Sequence, residues 1–144
     1  ADAYETLADL GYGYGPAFQG LRALWRDGDE MFAEVQLPVD ADEFGVHPAL
    51  LDAALHPLPS GDLWVPFSWS GVRLHSVGAT ALRVRLSRDA DGAVRLVAFD
   101  GAGVPVVSVD ELRLQKMSRE QLGAAVAGGD PLYEVRWVDV PVPA

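Results

Sequence analysis

The sequence predicts an α+β domain in which a curved antiparallel sheet wraps one buried helix. Three observations carry that expectation. A nearly all-apolar segment lies between Pro48 and Pro57, the pattern of a helix covered on every side. Strand-like runs separated by Asp/Gly clusters fill the rest, and such punctuation joins neighbouring strands by hairpins. The length is 144 residues, with 49% hydrophobic and 22% charged side chains, so one core fits and a second full domain does not.

The elements follow in order. Tyr4, Leu7 and Leu10 among Glu5 and Asp9 keep a helical period, and Gly11, Gly13, Gly15 and Pro16 then break it into a loop. Phe18 to Trp25 and Met31 to Leu37 read as two strands around the turn cluster Asp27, Gly28, Asp29, Glu30. Residues 45–57 read as a short helix, because proline is tolerated in a first turn and Pro57 disfavours continuation past His56. Residues 57–69 read as a Pro-rich aromatic stretch, and strands are expected over 72–77, 79–87, 93–99 and 104–114. Ser118 stands three residues before Gln121, a capping box that opens a helix over 118–126. Leu132 to Val138 then restarts a strand-like pattern.

Composition removes several functions. There is no cysteine, hence no disulfide framework, thiol nucleophile or cysteine zinc site. A net charge of −10 with a single lysine, Lys116, and no basic cluster repels a phosphate backbone, so no nucleic-acid partner is expected. No basic, apolar leader and no run near 20 apolar residues is present, which reads as a soluble, cytoplasmic chain with no membrane partner.

The chemistry-bearing pair is Asp52 and His56. Four residues apart on one helix, they share a face within hydrogen-bond reach. An acid shielded there would resist ionisation, and could then protonate a departing hydroxyl while the imidazole orients it. The same spacing also suits a satisfied core pair with no reaction to perform. A metal site from His47, Asp52 and His56 lacks a third strong ligand at a recognisable spacing. No serine sits in a nucleophile elbow. His75 reads as an ordinary strand histidine, and Trp64, Phe67 and Trp69 as core or tunnel lining. Glycines 11, 13 and 15 follow no strand, which makes them turn residues and not a phosphate loop.

Three motifs together resemble one family: Tyr14–Gln19 (YGPAFQ), His47–His56 (HPALLDAALH) and Val65–Val72 (VPFSWSGV). In this order and spacing they are similar to the C-terminal half of the dehydratase domain of modular type I polyketide synthases. The resemblance implies a hotdog fold, the second half of a double hotdog, over residues 1–117, with 118–144 as a linker toward a ketoreductase region. It implies that Asp52 acts with a histidine of the first hotdog to remove water from a 3-hydroxyacyl thioester, leaving an α,β-unsaturated chain. His56 would hydrogen-bond the acid, and Tyr14 would stand near the reacting hydroxyl.

Gly15, Pro16, Phe18, His47, Pro48, Leu51, Pro66, Phe67 and Trp69 would line the substrate path. No cofactor of its own is implied, because the substrate arrives on the phosphopantetheine arm of an acyl carrier protein. The implied partners are the first hotdog, that carrier and the neighbouring synthase domains. The first hotdog's HxxxGxxxxP motif is missing from these residues, so the chain alone is expected to be inactive unless a homodimer rebuilds the two-hotdog sheet. A non-catalytic scaffold, and a double-bond isomerase or pyran-forming relative, are the alternative readings.

Overall fold

A computed structural model describes residues 3–40, 44–58, 62–118 and 120–121. Helix α1 (Ala3–Leu10) buries Leu7 and closes on Gly11 at φ 106°. The amides of Gly11 and Tyr12 donate to the carbonyls of Ala8 and Leu7, both at 2.9 Å. That is the left-handed helix stop for which glycine is suited. A single 3-10 turn (Pro16–Phe18) follows, so Phe18, expected to open the first strand, instead lies before it.

Strands β1 (Leu21–Asp27) and β2 (Glu30–Gln36) form the expected hairpin across Gly28 and Asp29. After helix α2 (Pro48–Ala53) come β3 (Leu63–Ser70), β4 (Arg73–Leu74), β5 (Ala81–Arg88), β6 (Val94–Phe99) and β7 (Pro105–Met117). The strands build one antiparallel sheet in the order β1-β2-β5-β6-β7-β3, with β4 also on β7.

Period-two alternation decides which face is buried. Met31, Ala33 and Val35 of β2, Leu82, Val84 and Leu86 of β5, and Val94, Leu96 and Ala98 of β6 all point to the same side. On that side they meet Ala49, Leu50 and Ala53 of α2 in one core. Leu50, Leu96 and Leu112 are wholly buried, and each such side chain contributes about 1.5–3 kcal/mol.

Three expectations need correction. Residues 63–70, read as an aromatic stretch, form β3, whereas only Arg73 and Leu74 of 72–77 are in a strand. The misleading residue is Pro66, which lacks a donor. It is accommodated because β3 lies at the sheet edge and bulges between Pro66 and Ser68, two places where proline costs the ladder nothing.

The second correction concerns α2, which ends at Ala53. Residues 54–58 continue as tight turns in which Leu55, His56 and Leu58 donate to the carbonyls of Asp52, Ala53 and Leu55. Pro57 has no N–H to offer the next helical bond, and its ring disfavours a regular α-helix through the preceding turn. The third is that the helix is not covered all round: Leu51 and Asp52 are only partly buried.

At the far end of β7, the Ser118 amide donates to Gln121 Oε1 at 2.8 Å and the Gln121 amide to Ser118 Oγ at 3.1 Å, the reciprocal capping box. The remainder of the expected 118–126 helix, the Leu132–Val138 segment and most of the 118–144 linker lie outside the described residues. No helix among the described residues is long and apolar enough to cross a membrane.

Candidate active site

Asp52 is carried by the last turn of α2 and His56 by the turn that follows. His47 opens the helix: its Nδ1 accepts the Ala49 N–H at 3.1 Å, and Pro48 occupies the first turn, where no donor is missed. At the other end Nε2 of His56 lies 3.1 Å from Oδ2 of Asp52. The imidazole is completely buried, whereas 37% of the Asp52 side chain is exposed. The shielding expected of the acid therefore falls on its partner. Asp52 opens onto a cleft between α2 and the β3–β7 edge of the sheet, and the tight turn after Ala53 folds His56 inward.

Three tyrosines surround the pair. The ring of Tyr14 covers the imidazole at a centroid distance of 4.0 Å, and that of Tyr4 meets it edge-on at 5.6 Å. Tyr12 stacks on Tyr14 at 6.0 Å with the planes 6° apart. The Tyr12 hydroxyl donates to the Trp64 carbonyl at 2.8 Å and accepts the Trp64 N–H at 2.6 Å. It thus stands in for a neighbouring strand at the start of β3. The Tyr4 hydroxyl accepts the Leu21 N–H at 2.6 Å and lies 3.2 Å from Nδ1 of His56.

Burial, reinforced by the nearby Asp52 carboxylate and the two other phenols, pushes the Tyr14 phenol well above the usual tyrosine range. Tyr12 is also raised by burial, against the opposing effect of its backbone bond to Trp64. Tyr14 is therefore a neutral phenol at physiological pH, a form able to donate a hydrogen bond.

Tyr12, Tyr14 and Asp52 line a cleft of about 180 Å³ whose other walls are Leu55, Leu58, Trp64, Val65, Pro66 and Leu114. Its lining joins three polar side chains to a larger number of apolar ones, the composition common in small-molecule sites. Among the described residues no three His, Asp or Glu side chains gather into a metal site.

Of the residues singled out in the sequence, Tyr14, Asp52, Trp64 and Pro66 line this cleft and His56 backs it. Gly15 and Pro16 lie in the turn just after Tyr14, and Phe18 at its end is 41% exposed. His47 and Pro48 sit at the opposite end of α2, with His47 against Phe44, and Leu51 packs on the core. Phe67 and Trp69 are exposed on the β3 edge. Tyr4 and Tyr12 escaped the sequence reading. Their one signal is that both stand with Tyr14 in a single 11-residue stretch, two positions being even-spaced neighbours of the YGPAF motif.

Comparison with known proteins gives this arrangement a family. Residues 1–124 match the model described as the polyketide synthase dehydratase N-terminal domain. The mycoketide-CoA synthase of Mycobacterium tuberculosis is 49% identical over 156 residues, covering 98% of this chain and 4% of that protein. Polyketide synthase GfsA of Streptomyces halstedii is 48% identical over 153 residues, covering 97% and 2%.

Among solved structures, a fusion DH domain aligns with a TM-score of 0.78 at 45% identity, covering 85% of this chain and 49% of that one. The dehydratase domain from the terminal module of the rifamycin polyketide synthase aligns at 0.72 and 47% identity, covering 78% and 44%. The chain belongs to the polyketide synthase dehydratase family and has its hotdog fold. It spans only a few per cent of the length of these curated relatives and just under half of these solved dehydratases.

Proposed function

We propose that the chain is the acid-bearing, second hotdog of a polyketide synthase dehydratase, acting on a 3-hydroxyacyl thioester held by the phosphopantetheine arm of an acyl carrier protein. The observation that carries this reading is the placement of Asp52 in a largely apolar cleft that Tyr14 also lines, with the buried His56 held against the acid and the Tyr14 ring over the imidazole. In the reaction, the companion half's histidine takes the α-hydrogen and the electron pair of that C–H bond becomes the new double bond. The β C–O bond breaks, and Asp52 gives its hydrogen to the departing hydroxyl, which leaves as water. Tyr14, kept protonated, donates a hydrogen bond to the same oxygen.

The description of the matching family model names an N-terminal domain, whereas the residues favour the second half. Asp52 and His56 fit the acid motif, and none of the three histidines begins an HxxxGxxxxP sequence. The companion hotdog would add along β3. That strand is at the sheet edge, leaves Phe67 and Trp69 exposed, and supplies Trp64, Val65 and Pro66 to the cleft. A second sheet joined there would cover the apolar side chains and withdraw Asp52 from water. Pro66 lines the path to the acid in this arrangement, and Phe67 and Trp69 face the joint. The carrier protein and neighbouring synthase domains are the remaining partners.

The exposure of Asp52 also favours a second reading, a scaffold that holds neighbouring domains apart and does no chemistry. Mixing experiments test the first. The chain alone with a 3-hydroxyacyl carrier protein should release no water above background, because the α-hydrogen base is on the other half. The two halves covalently joined should do so, a gain of roughly 10²–10⁴-fold for a positioned base. Rapid water loss by the isolated chain would refute the division of labour.

A further inference from the structure

The Tyr4 hydroxyl lies on the far side of His56 from Asp52, and the reaction as written does not use it. A neutral imidazole carries one hydrogen, and the partner of each ring nitrogen decides which of the two holds it. At His56, Nε2 faces Oδ2 of Asp52 at 3.1 Å and Nδ1 faces the phenol of Tyr4 at 3.2 Å. That phenol oxygen accepts the Leu21 amide at 2.6 Å, and its own hydrogen is within donating distance of Nδ1.

From this geometry we infer that Tyr4 is a positioning residue of the dehydratase site: it donates to Nδ1 of His56 and so assigns the imidazole hydrogen to Nε2. The consequence reaches the acid. A carboxylic acid whose Oδ2 accepts from Nε2–H carries its own hydrogen on Oδ1, free for the leaving hydroxyl. With the opposite tautomer, the acid hydrogen would be held on Oδ2 as a bond to bare Nε2 and would be withdrawn from the substrate. Tyr4 therefore selects the oxygen of Asp52 from which the hydrogen departs. The inference rests on the dehydratase reading only for this last consequence, because the tautomer is a property of the resting site.

The test uses the intact dehydratase domain that contains this chain, with its histidines labelled with ¹⁵N, and the His56 signals identified by their loss in His56→Gln. At a pH where the ring is neutral, the expected spectrum shows hydrogen on Nε2 and a bare, hydrogen-bonded Nδ1. Tyr4→Phe should spread the ring over both tautomers and lower kcat about 3- to 10-fold, the scale of one lost hydrogen bond, with KM little changed. In a His56→Leu background the same change should cost nothing further.

Hydrogen on Nδ1 in the unsubstituted domain would overturn the inference, as would a Tyr4→Phe spectrum identical to it or an equal kcat loss without His56. If Tyr4→Phe does not fold, the unsubstituted spectrum still decides. The spectrum needs no substrate, so the expected tautomer in a domain that releases no water would refute the dehydratase reading and leave the role of Tyr4 standing.

Discussion

Two polar regions lie on opposite sides of the structure and obey different rules. On the outer face of the sheet, Arg83 pairs with Glu34 at 3.4 Å, Arg85 with Glu30, and Asp110 with both Arg73 at 2.7 Å and Arg95 at 3.6 Å. All these side chains are substantially exposed, so water and salt compete for each charge, and such pairs contribute between nothing and about 1 kcal/mol apiece. Against α2, by contrast, a single imidazole is completely buried, and both of its nitrogens have assigned partners. A polar atom left unmatched there costs its full desolvation. Charge count thus says little about importance in this chain, and burial says much.

The sharpest way to break this contrast is His56→Leu. Leucine fills the space but strips the hydrogen-bond partner from Asp52 and Tyr4 together. The expected loss is about 1.5–3 kcal/mol of positioning, hence roughly 10- to 100-fold in dehydration rate. His56→Gln, which offers a donor toward Asp52 and an acceptor toward Tyr4, should recover most of it in the same steady-state assay. Equal losses in the two variants would mean that the ring acts by volume alone.

Next in size is Gly20→Ala, which disturbs the support beneath both α2 and the cleft. A methyl group at position 20 would stand 2.8 Å from the Gln36 carbonyl oxygen and 2.9 Å from the Ala53 Cβ, wedging the helix from β2. Denaturant unfolding should show a loss of about 1–3 kcal/mol, as overpacking commonly produces.

Tyr14→Phe should lower the dehydration rate about 3- to 10-fold, the worth of one hydrogen bond, without loss of fold. Absorbance titration of the unsubstituted domain should find one phenol ionising well above the others. Since the folded state holds that hydrogen more tightly than the unfolded chain does, its stabilising contribution is complete below the free phenol value of 10.0 and is lost as the pH rises beyond it. A titration showing only ordinary tyrosines would remove the argument that Tyr14 is a permanent donor.

The smallest effect belongs to the outer face. Glu30→Gln or Arg85→Ala should change stability by less than about 1 kcal/mol and leave the dehydration rate unaltered. A large loss of activity from either would break the contrast between the two regions.

How much of this was legible in the sequence follows from how local each feature is. The β5 and β6 strands and the β1–β2 hairpin were legible because alternation and turn chemistry act between neighbours. The Asp52–His56 pair was legible because i,i+4 spacing between two prolines is a local fact. The exposure of Asp52 was not, because it depends on which side of α2 meets the sheet and on the tightened turn that Pro57 imposes. Tyr4 and Tyr12 reach His56 and Trp64 across 52 residues of chain, a distance that periodicity does not span. Strand β3 was hidden by Pro66, whose missing N–H is tolerated because the strand lies at the sheet edge, a long-range fact of topology.

The most direct measurement is the product of the intact synthase domain carrying Asp52→Asn, read by mass spectrometry of the acyl chain on its carrier protein. Asparagine keeps the shape and the hydrogen bond to His56 but has no acidic hydrogen to give. The account predicts that the β-hydroxyl stays in place, with dehydration reduced roughly 10²–10⁴-fold. An unsaturated product formed at the normal rate would contradict it and leave the chain a scaffold.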